Sequence, residues 1–285
     1  TNGKGSVGYL LESVLSKSRI KVGRFLSPAV IDEREIILVN GKMVPKTVWA
    51  EKLTEIIEIV ENKNLKATAF EIEFVLSLLI FKKNGCGIVI LECGMGGKLD
   101  ATNAVNKSMV DIITSISIDH TNFLGESLKE ISLHKFGIIK EGKKNVVLSP
   151  QTVEVEDLFD KYISDKKNLY VIKSSKKEAK FKKGKTDKKI VWDISYKGYN
   201  NLKLSLLGFN QTDNAICVLD VLDILKKEGY CIKDKAVFSA FENAFWPARF
   251  EIIEKKNTYI LDGAHNIDAV RVLFENINMY FTNRN

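Results

Sequence analysis

The chain begins with Thr1-Asn2-Gly3-Lys4-Gly5-Ser6, a glycine-rich stretch that carries a lysine and a hydroxyl group. In phosphate-binding loops, glycines let backbone N–H groups turn towards the phosphates, a lysine neutralises their charge, and a serine or threonine binds Mg²⁺. The fit to the common pattern G-x-x-x-x-G-K-[ST] is imperfect, because Gly5 separates Lys4 from Ser6. Taken alone, the stretch also fits an ordinary loop.

The residues after this stretch favour the phosphate-binding interpretation. Apolar side chains recur at helical spacing, at positions 7, 10, 11, 14 and 15. The pattern predicts a helix with Ser6 at its N-terminus, where unpaired N–H groups bind anions. Because a phosphate loop normally follows a buried strand, we expect the natural protein to have further residues ahead of Thr1.

Length and composition indicate one globular domain and part of a second. The 285 residues are 45% hydrophobic and 28% charged, as in a soluble globular protein. The most apolar stretch, residues 75–81, is too short to span a bilayer, so we expect no membrane partner. The cysteines form no C-x-x-C pair, which favours reduced thiols in a cytoplasmic protein over a metal or disulfide role; they are Cys86, Cys93, Cys217 and Cys231.

The net charge of +7 is concentrated in residues 173–189, which contain nine lysines, no arginine and one aromatic residue. Surfaces that bind nucleic acid usually mix arginine and stacking aromatic residues with lysine. The run therefore predicts a solvated hairpin or loop, and we expect no nucleic-acid partner. RNA binding remains an alternative, and a steep salt dependence of binding would reveal it.

The first half of the sequence alternates β-rich runs with helical patterns, as in a doubly wound, mostly parallel α/β sheet. Strands are predicted at 22–26, 87–93, 111–118 and 145–148, and helices at 47–62, 70–83 and 128–139. The helix from Phe70 is apolar nearly all round, which predicts a fully packed element.

The second half has a different pattern that predicts a small antiparallel β part. Short antiparallel strands are predicted at 170–172, 190–194 and 202–206, and helices at 211–228 and 234–243. The run Phe245-Trp246-Pro247-Ala248-Arg249 interrupts this pattern, and strands at 250–253 and 259–261 with a helix from Asn266 follow it. We therefore place a domain boundary near Trp246 and expect that residues 247–285 cannot close a core alone.

Polar residues lie where three of the predicted strands end, and ligands of open α/β sheets bind beyond the carboxyl ends of strands. Ser27 ends the first strand, Glu92 precedes Gly94-Met95-Gly96-Gly97, and Asp119-His120 ends the third. Glu92 is either a strand-end charge facing water or a ligand of a metal or its water, and the glycines favour the ligand. A lone histidine is usually a hydrogen-bonded core residue, but the position of His120 favours a ligand.

Five motifs together resemble a known family. They are residues 1–6, Leu91-Glu92-Cys93-Gly94-Met95-Gly96-Gly97-Lys98-Leu99-Asp100-Ala101-Thr102-Asn103, Asp119-His120-Thr121-x-Phe123-Leu124-Gly125, Lys135-Phe136-Gly137-Ile138-Ile139-Lys140 and Asp262-Gly263-Ala264-His265-Asn266. In this order they resemble the folylpolyglutamate synthase and dihydrofolate synthase family, the folate branch of the Mur ligases. The glycine between Lys4 and Ser6 is typical of this branch, since cell-wall Mur ligases usually place threonine or serine directly after the lysine.

The resemblance implies a P-loop-containing Mur ligase central domain over residues 1–246, followed by the start of a Rossmann-like C-terminal glutamate-ligase domain over 247–285. It implies a monomer that uses ATP and one or two Mg²⁺ ions to join L-glutamate to a folate or dihydropteroate. The implied ATP-binding residues are Asn2, Gly3, Lys4, Gly5, Ser6, Asn214, Arg249 and Asp262. The implied metal ligands are Ser6, Ser27, Glu92, His120 and Lys135, and the implied catalytic residues are Lys4, Lys135, Arg249 and His265.

Lys135 matches a lysine that is carbamylated in the family, whereas the sequence by itself indicates a helix-surface charge. Other positions depart from the family pattern: Ala29 and Asn210 replace usual histidines, Ala248 replaces a usual glycine, and His134 beside Lys135 is unusual. A cell-wall Mur-type ligase and a non-catalytic ATP-binding relative therefore remain alternatives. The choice of acceptor stays open, and we expect residues 1–285 alone to be inactive.

Overall fold

Strands and helices alternate along the chain in the computed structural model, which describes residues 3–142, 144–186 and 189–281. The helices are α1 (Lys4–Lys17), α2 (Lys46–Asn62), α3 (Ala69–Lys83), α4 (Thr121–Leu124), α5 (Leu128–Phe136), α6 (Val153–Ile163), α7 (Phe209–Lys227), α8 (Asp234–Glu242) and α9 (Ile267–Phe281). The strands are β1 (Val22–Phe25), β2 (Ile37–Val39), β3 (Lys42–Met43), β4 (Ile88–Leu91), β5 (Val110–Ile113), β6 (Lys144–Leu148), β7 (Leu169–Lys173), β8 (Ala179–Lys185), β9 (Ile190–Tyr196), β10 (Tyr199–Leu204), β11 (Glu251–Glu254) and β12 (Thr258–Leu261).

Two sheets with parallel strands support the loops that follow those strands. In the first, of order β3-β2-β1-β4, β1 is parallel to β4 and antiparallel to β2. In the second, of order β5-β6-β7, all strands are parallel. A separate sheet of order β10-β9-β8 is antiparallel. The α/β class with parallel and antiparallel sheets is thus as the sequence predicts.

The pairing predicted for residues 170–172 is wrong, because β7 is parallel to β6 and not antiparallel. The physical reason is α6, a helix that the sequence reading did not identify. Its N-cap Thr152 accepts a hydrogen bond from the N–H of Val155, and its inner face buries Val155 and Phe159 completely. A helix between two strands brings the chain back to the end of the sheet where the first strand began, so the next strand runs in the same direction.

The helix α3 is packed on one face only, which also corrects the prediction of a fully packed element. Leu76 and Ile80 are fully buried, whereas Val75 is 44% and Leu78 is 36% exposed. The apolar outer face of α3 therefore does not signal burial, since a folded surface still contains many apolar atoms.

The lysine run forms part of a β-hairpin, as predicted. β8 pairs with β9 from Ala179 opposite Tyr196 to Lys185 opposite Ile190. Trp192 and Ile194 on β9 are buried, while the lysines of β8 are exposed. Asp187 and Lys188 lie outside the described residues.

The helix α1 is anchored firmly, which fixes the phosphate loop at its start. Leu10 and Val14 have no exposed surface, and they pack in the core that α1 shares with α7 and α8. Burying a leucine or valine side chain contributes about 1.5 to 3 kcal/mol each. Among the described residues, no helix is long and apolar enough to cross a membrane.

The segment between α8 and β11 contains a left-handed turn at Ala248, where φ is 52°. The carbonyl oxygen of Ala248 accepts a hydrogen bond from the N–H of Gly263 at 2.8 Å. The N–H of Phe250 donates to Oδ2 of Asp262 at 2.8 Å, which holds the same turn. Residues with a Cβ pay roughly 1 to 2 kcal/mol in the left-handed region, so glycine suits position 248 better than alanine.

We predict that Ala248→Gly stabilises the protein by about 1 kcal/mol, because glycine adopts a positive φ without strain. The free energy of unfolding, measured by urea denaturation, checks this. The matched control is Ala240→Gly inside α8, which should instead lower stability by about 1 kcal/mol. Equal destabilisation by both substitutions would contradict the prediction.

Candidate active site

The phosphate loop runs directly into α1, and its first described residue is Gly3, the N-cap of the helix. Gly3 has φ 93° and ψ −13°, and no described side chain caps the helix. A Cβ on Gly3 would lie 2.2 Å from Oδ1 of the buried Asn214, so only glycine fits here. The first N–H groups of α1 thus remain available for an anion. The predicted ligand Asn2 lies outside the described residues.

Glu92 directly follows β4 and lies beside the carboxyl end of β1, where its N–H donates to the carbonyl oxygen of Phe25 at 3.0 Å. Burial raises the pKa of the Glu92 carboxyl group, and the positive charges of Lys4, Arg24 and Arg249 oppose this rise. No hydrogen bond to its carboxylate comes from the residues that the structure describes. A half-buried carboxylate that is surrounded by cations and accepts no hydrogen bond from the described residues has free oxygen atoms for a metal ion.

Lys135 lies in α5 and lines the same cleft as Lys4 and Glu92. Burial and the charge of Lys4 lower its pKa to about 8, against the opposing effect of Asp119 and Cys93. The expectation of a plain helix-surface charge is therefore wrong. A lysine amine with this pKa is partly neutral near physiological pH, and the neutral amine is the form that reacts with CO₂.

His120 is the N-cap of α4 and has φ 52° and ψ 39°, which is unusual for a residue with a side chain. Its N–H donates to Oδ1 of Asp119 at 2.9 Å. Burial lowers the pKa of the imidazole, and the carboxylate of Asp119 opposes this. The neutral ring then has a nitrogen lone pair that can bind a metal ion.

Asp119, which the sequence analysis places beside His120 at a strand end without giving it a role, also belongs to the candidate site. Its Oδ2 accepts a hydrogen bond from Nδ2 of Asn266 at 3.3 Å, and its charge acts on both His120 and Lys135. It therefore links the end of the β5 segment to the turn before α9. Its place beside His120 in the motif was the available signal.

The predicted metal ligands come from five places in the chain. These are Ser6 in α1, Ser27 after β1, Glu92 after β4, His120 before α4, and Lys135 in α5. Within the described ranges, no group of three or more His, Cys, Asp and Glu side chains is close enough to hold a metal ion. The set supplies two hydroxyl groups, one carboxylate and one imidazole. Mg²⁺ prefers oxygen ligands, so the imidazole suits it least, and a carbamate on Lys135 would add a second carboxylate-like group.

The residues predicted after position 246 differ in what they contact. The charge of Arg249 acts on Glu92, which places this residue at the site. The carboxylate of Asp262 instead accepts hydrogen bonds from the N–H groups of Phe250 and Ala264, both at 2.8 Å. His265 is exposed, and its Nδ1 lies 2.8 Å from the carbonyl oxygen of Gly263. The structure thus shows Asp262 and His265 in local contacts with the backbone.

The cleft lined by Lys4, Glu92 and Lys135 is part of a cavity of about 520 Å³ that extends between the two sheets with parallel strands. It is lined by the strands β4 and β5, by the helix residues Leu11 and Leu225, and by Lys4. Among the described strands, β4 pairs only with β1 and β5 pairs only with β6, so each has an edge without a partner strand. Val89 in β4 is 38% exposed as a result, although a continuous apolar strand usually lies inside a sheet.

Comparisons with known proteins agree with this architecture. Residues 1–222 match the family model described as Mur ligase middle domain. The dihydrofolate synthase/folylpolyglutamate synthase of Bacillus subtilis is 32% identical over 99% of this chain and 67% of that protein. A probable dihydrofolate synthetase of Schizosaccharomyces pombe is 31% identical over 98% of this chain and 66% of that protein.

A solved structure is also similar over the whole chain. The Escherichia coli FolC structure in complex with DHPP and ADP has a TM-score of 0.82 and 29% identity, and the match covers 100% of this chain and 65% of that one. The chain thus spans about two thirds of the length of these relatives. It belongs to the folylpolyglutamate synthase/dihydrofolate synthase family and carries the Mur ligase middle domain of that family.

Proposed function

We propose that the chain is the nucleotide-binding part of an ATP- and Mg²⁺-dependent ligase that adds L-glutamate to a carboxylate of a folate or of dihydropteroate. The observation that carries the proposal is the convergence of Lys4, Glu92 and Lys135 in one cleft at the start of α1. Family membership supports it, as does the related E. coli structure, which holds DHPP and ADP. We also propose a cytoplasmic monomer that binds neither nucleic acid nor membrane.

In this proposal the chain supplies positive charge to the triphosphate of ATP. The N–H groups at the start of α1 and the amine of Lys4 bind phosphate oxygens, and Arg249 approaches from the segment after α8. We assign Asn2 and Gly5 to nucleotide binding on the resemblance; Gly5 lies in the first turn of α1, and Asn214 in α7 lies beside Gly3. We assign Asp262 to nucleotide binding and His265 to catalysis on the resemblance alone.

The same cleft is proposed to hold one or two Mg²⁺ ions. Ser6, Ser27, Glu92 and His120 would bind them, together with Lys135 once its amine carries a carbamate. When bound, Mg²⁺ neutralises phosphate oxygens and so lowers the repulsion between a carboxylate and the triphosphate.

The reaction follows from the weak electrophilicity of a carboxylate. A carboxylate oxygen of the acceptor attacks the γ-phosphorus of ATP, the bond to the β-phosphate oxygen breaks, and ADP leaves. The amine of L-glutamate then attacks the acyl phosphate, the bond from carbon to phosphate oxygen breaks, and phosphate leaves with the new amide. Lys4 and Arg249 stabilise the charge that develops on the transferred phosphoryl group.

We predict that the full-length protein releases ADP only when Mg²⁺, L-glutamate and a pteridine acceptor are all present. A coupled assay that compares dihydropteroate with tetrahydrofolate measures this and identifies the acceptor. Lys4→Met should lower turnover by roughly 100-fold or more, because a charge that stabilises the transition state is lost.

Other outcomes of this assay separate the alternatives. ADP release with a cell-wall nucleotide but with neither pteridine would favour a Mur-type ligase of cell-wall synthesis. Tight ATP binding without turnover on any acceptor would indicate a non-catalytic relative.

Carbamylation of Lys135 gives a second prediction. In ¹³C-bicarbonate, the protein should show a carbamate NMR signal that grows between about pH 7 and pH 9, because the neutral amine becomes more abundant as the pH rises through a pKa near 8. Lys135→Arg is the control and should lack the signal, since a guanidinium does not lose its proton in this range. A signal of equal size in this variant would contradict the assignment.

We also propose that residues 1–246 form the ATP-binding domain and that residues 247–285 begin the C-terminal domain. The cavity between β4 and β5 supports the expected strand ahead of the phosphate loop. Both neighbouring strands are four residues long and have an unpaired edge, and Lys4 lines the cavity. A strand joined to Thr1 and parallel to both would pair with each of them.

An N-terminal extension of six β-branched residues should therefore raise the melting temperature of residues 1–285 by at least about 3 °C, which corresponds to roughly 1 kcal/mol. A Gly/Ser extension of equal length is the matched control, because it adds chain without apolar side chains for the cavity. Equal melting temperatures for the two extended proteins would refute the strand site.

A further inference from the structure

A cluster of three side chains lies behind the phosphate loop, and the proposed reaction assigns it no role. We call Tyr9, Arg24 and Trp246 the stacking cluster. The guanidinium carbon of Arg24 lies 4.8 Å from the centre of the Trp246 ring and 5.9 Å from that of Tyr9. The rings of Tyr9 and Trp246 are 5.2 Å apart. The cluster therefore joins α1, β1 and the segment that leads to Arg249.

Arg24 is the fixed centre of this cluster. It is 2% exposed, and its Nε lies 2.8 Å from Oε2 of Glu12. Glu12 also accepts a hydrogen bond from the N–H of Gly41 at 2.6 Å, so the carboxylate is itself held in place. Nη1 of Arg24 has no hydrogen-bonding partner among the described residues. The carboxylates of Glu12 and Glu92 and the rings of Tyr9 and Trp246 together offset the cost of burying this guanidinium.

Trp246 also contacts the start of α1, next to the phosphate loop. A Cβ on Gly5 would lie 3.6 Å from the indole, so the ring lies in van der Waals contact range of the loop backbone. The N–H of Phe245 donates to the hydroxyl oxygen of Tyr9 at 3.0 Å, which ties the same segment to α1. Any shift of the Trp246 ring would therefore move the segment relative to the loop.

Arg249 lies three residues after Trp246, between two anchors. On the C-terminal side, the N–H of Gly263 holds the carbonyl oxygen of Ala248 at 2.8 Å, and Nη1 of Arg249 lies against Gly263. On the other side, the stacking cluster holds the segment against α1. A guanidinium binds phosphate oxygens only in a narrow range of positions, and a displacement of about 1 Å can cost on the order of 100-fold in rate.

We propose that Arg24 and Trp246 are positioning residues, which fix Arg249 beside the phosphate loop so that it meets the phosphates of the nucleotide. The proposal rests on the nucleotide-binding role under the proposed function. It does not depend on which acceptor the enzyme uses.

A double-mutant cycle tests this proposal on the full-length protein. Calorimetry measures the affinity for a non-hydrolysable ATP analogue with Mg²⁺ in the wild type, Trp246→Leu, Arg249→Ala and the double variant. We expect each single change to weaken binding by roughly 10-fold, the typical effect of one charge-assisted contact. The double variant should bind no more weakly than Arg249→Ala, because Trp246 acts through Arg249. Effects that multiply, or an unchanged affinity in Trp246→Leu, would overturn the proposal.

Further variants separate positioning from general stability. Arg24→Lys keeps a charge near Glu12 but loses the planar group, so it should resemble Trp246→Leu, whereas Trp246→Phe should recover most of the affinity. Trp49→Phe in α2 is the matched control for tryptophan and should leave the affinity unchanged, and melting temperatures identify any variant that fails to fold. The proposal would be contradicted if the affinities of these variants followed their melting temperatures and not the presence of the stack between Arg24 and residue 246.

The cycle also distinguishes this proposal from the proposed function. A wild type that binds the analogue but releases no ADP with either pteridine would refute the ligase activity and leave the cycle interpretable. A wild type that does not bind the analogue would refute both.

Discussion

The candidate site depends on an excess of positive charge, buried or half-buried, around one carboxylate. Lys4, Lys135, Arg24 and Arg249 all act on the same cleft, and burial together with Lys4 lowers the pKa of Lys135 to about 8. Burying the protonated Lys135 amine lowers the stability of the fold fully at pH values below about 8, and this penalty fades as the pH rises from about 8 towards the ordinary pKa of a lysine. A triphosphate offers the opposite charge in a single ligand. The repulsion among the cations therefore becomes a source of affinity for the nucleotide.

Much of the fold follows from local sequence pattern, because the strands and helices that carry the site have strong periodicity. The pattern from position 7 to 15 predicts α1, and the apolar run at 87–93 predicts β4. The direction of β7 did not follow, since the sequence analysis did not identify the helix α6 before it. Parallel pairing depends on that crossover helix, so missing one helix reverses the predicted direction of the next strand.

The site was predicted less completely than the fold, and the missing parts are long-range contacts. Motifs identify Glu92 and Lys135, but the burial that shifts the pKa of Lys135 comes from distant segments of the chain. Arg24 reads in the sequence as an ordinary strand residue, and only folding brings Glu12 and Trp246 to it. Ala248 is different, because the sequence analysis identified it as a departure from the glycine of the family pattern, and the structure shows a positive φ at this position.

The same charge excess bears on why Arg249 is placed on a segment and not on the central sheet. A fourth cation fixed within the buried sheet would add to the repulsion at all times, with or without a ligand. On a segment anchored by Trp246 on one side and Gly263 on the other, the guanidinium is only half-buried and keeps part of its hydration. The cost of removing water from the guanidinium of Arg249 is then incurred only when the nucleotide is bound. The stacking cluster lowers the entropic cost of binding, because it restricts the segment before the ligand arrives.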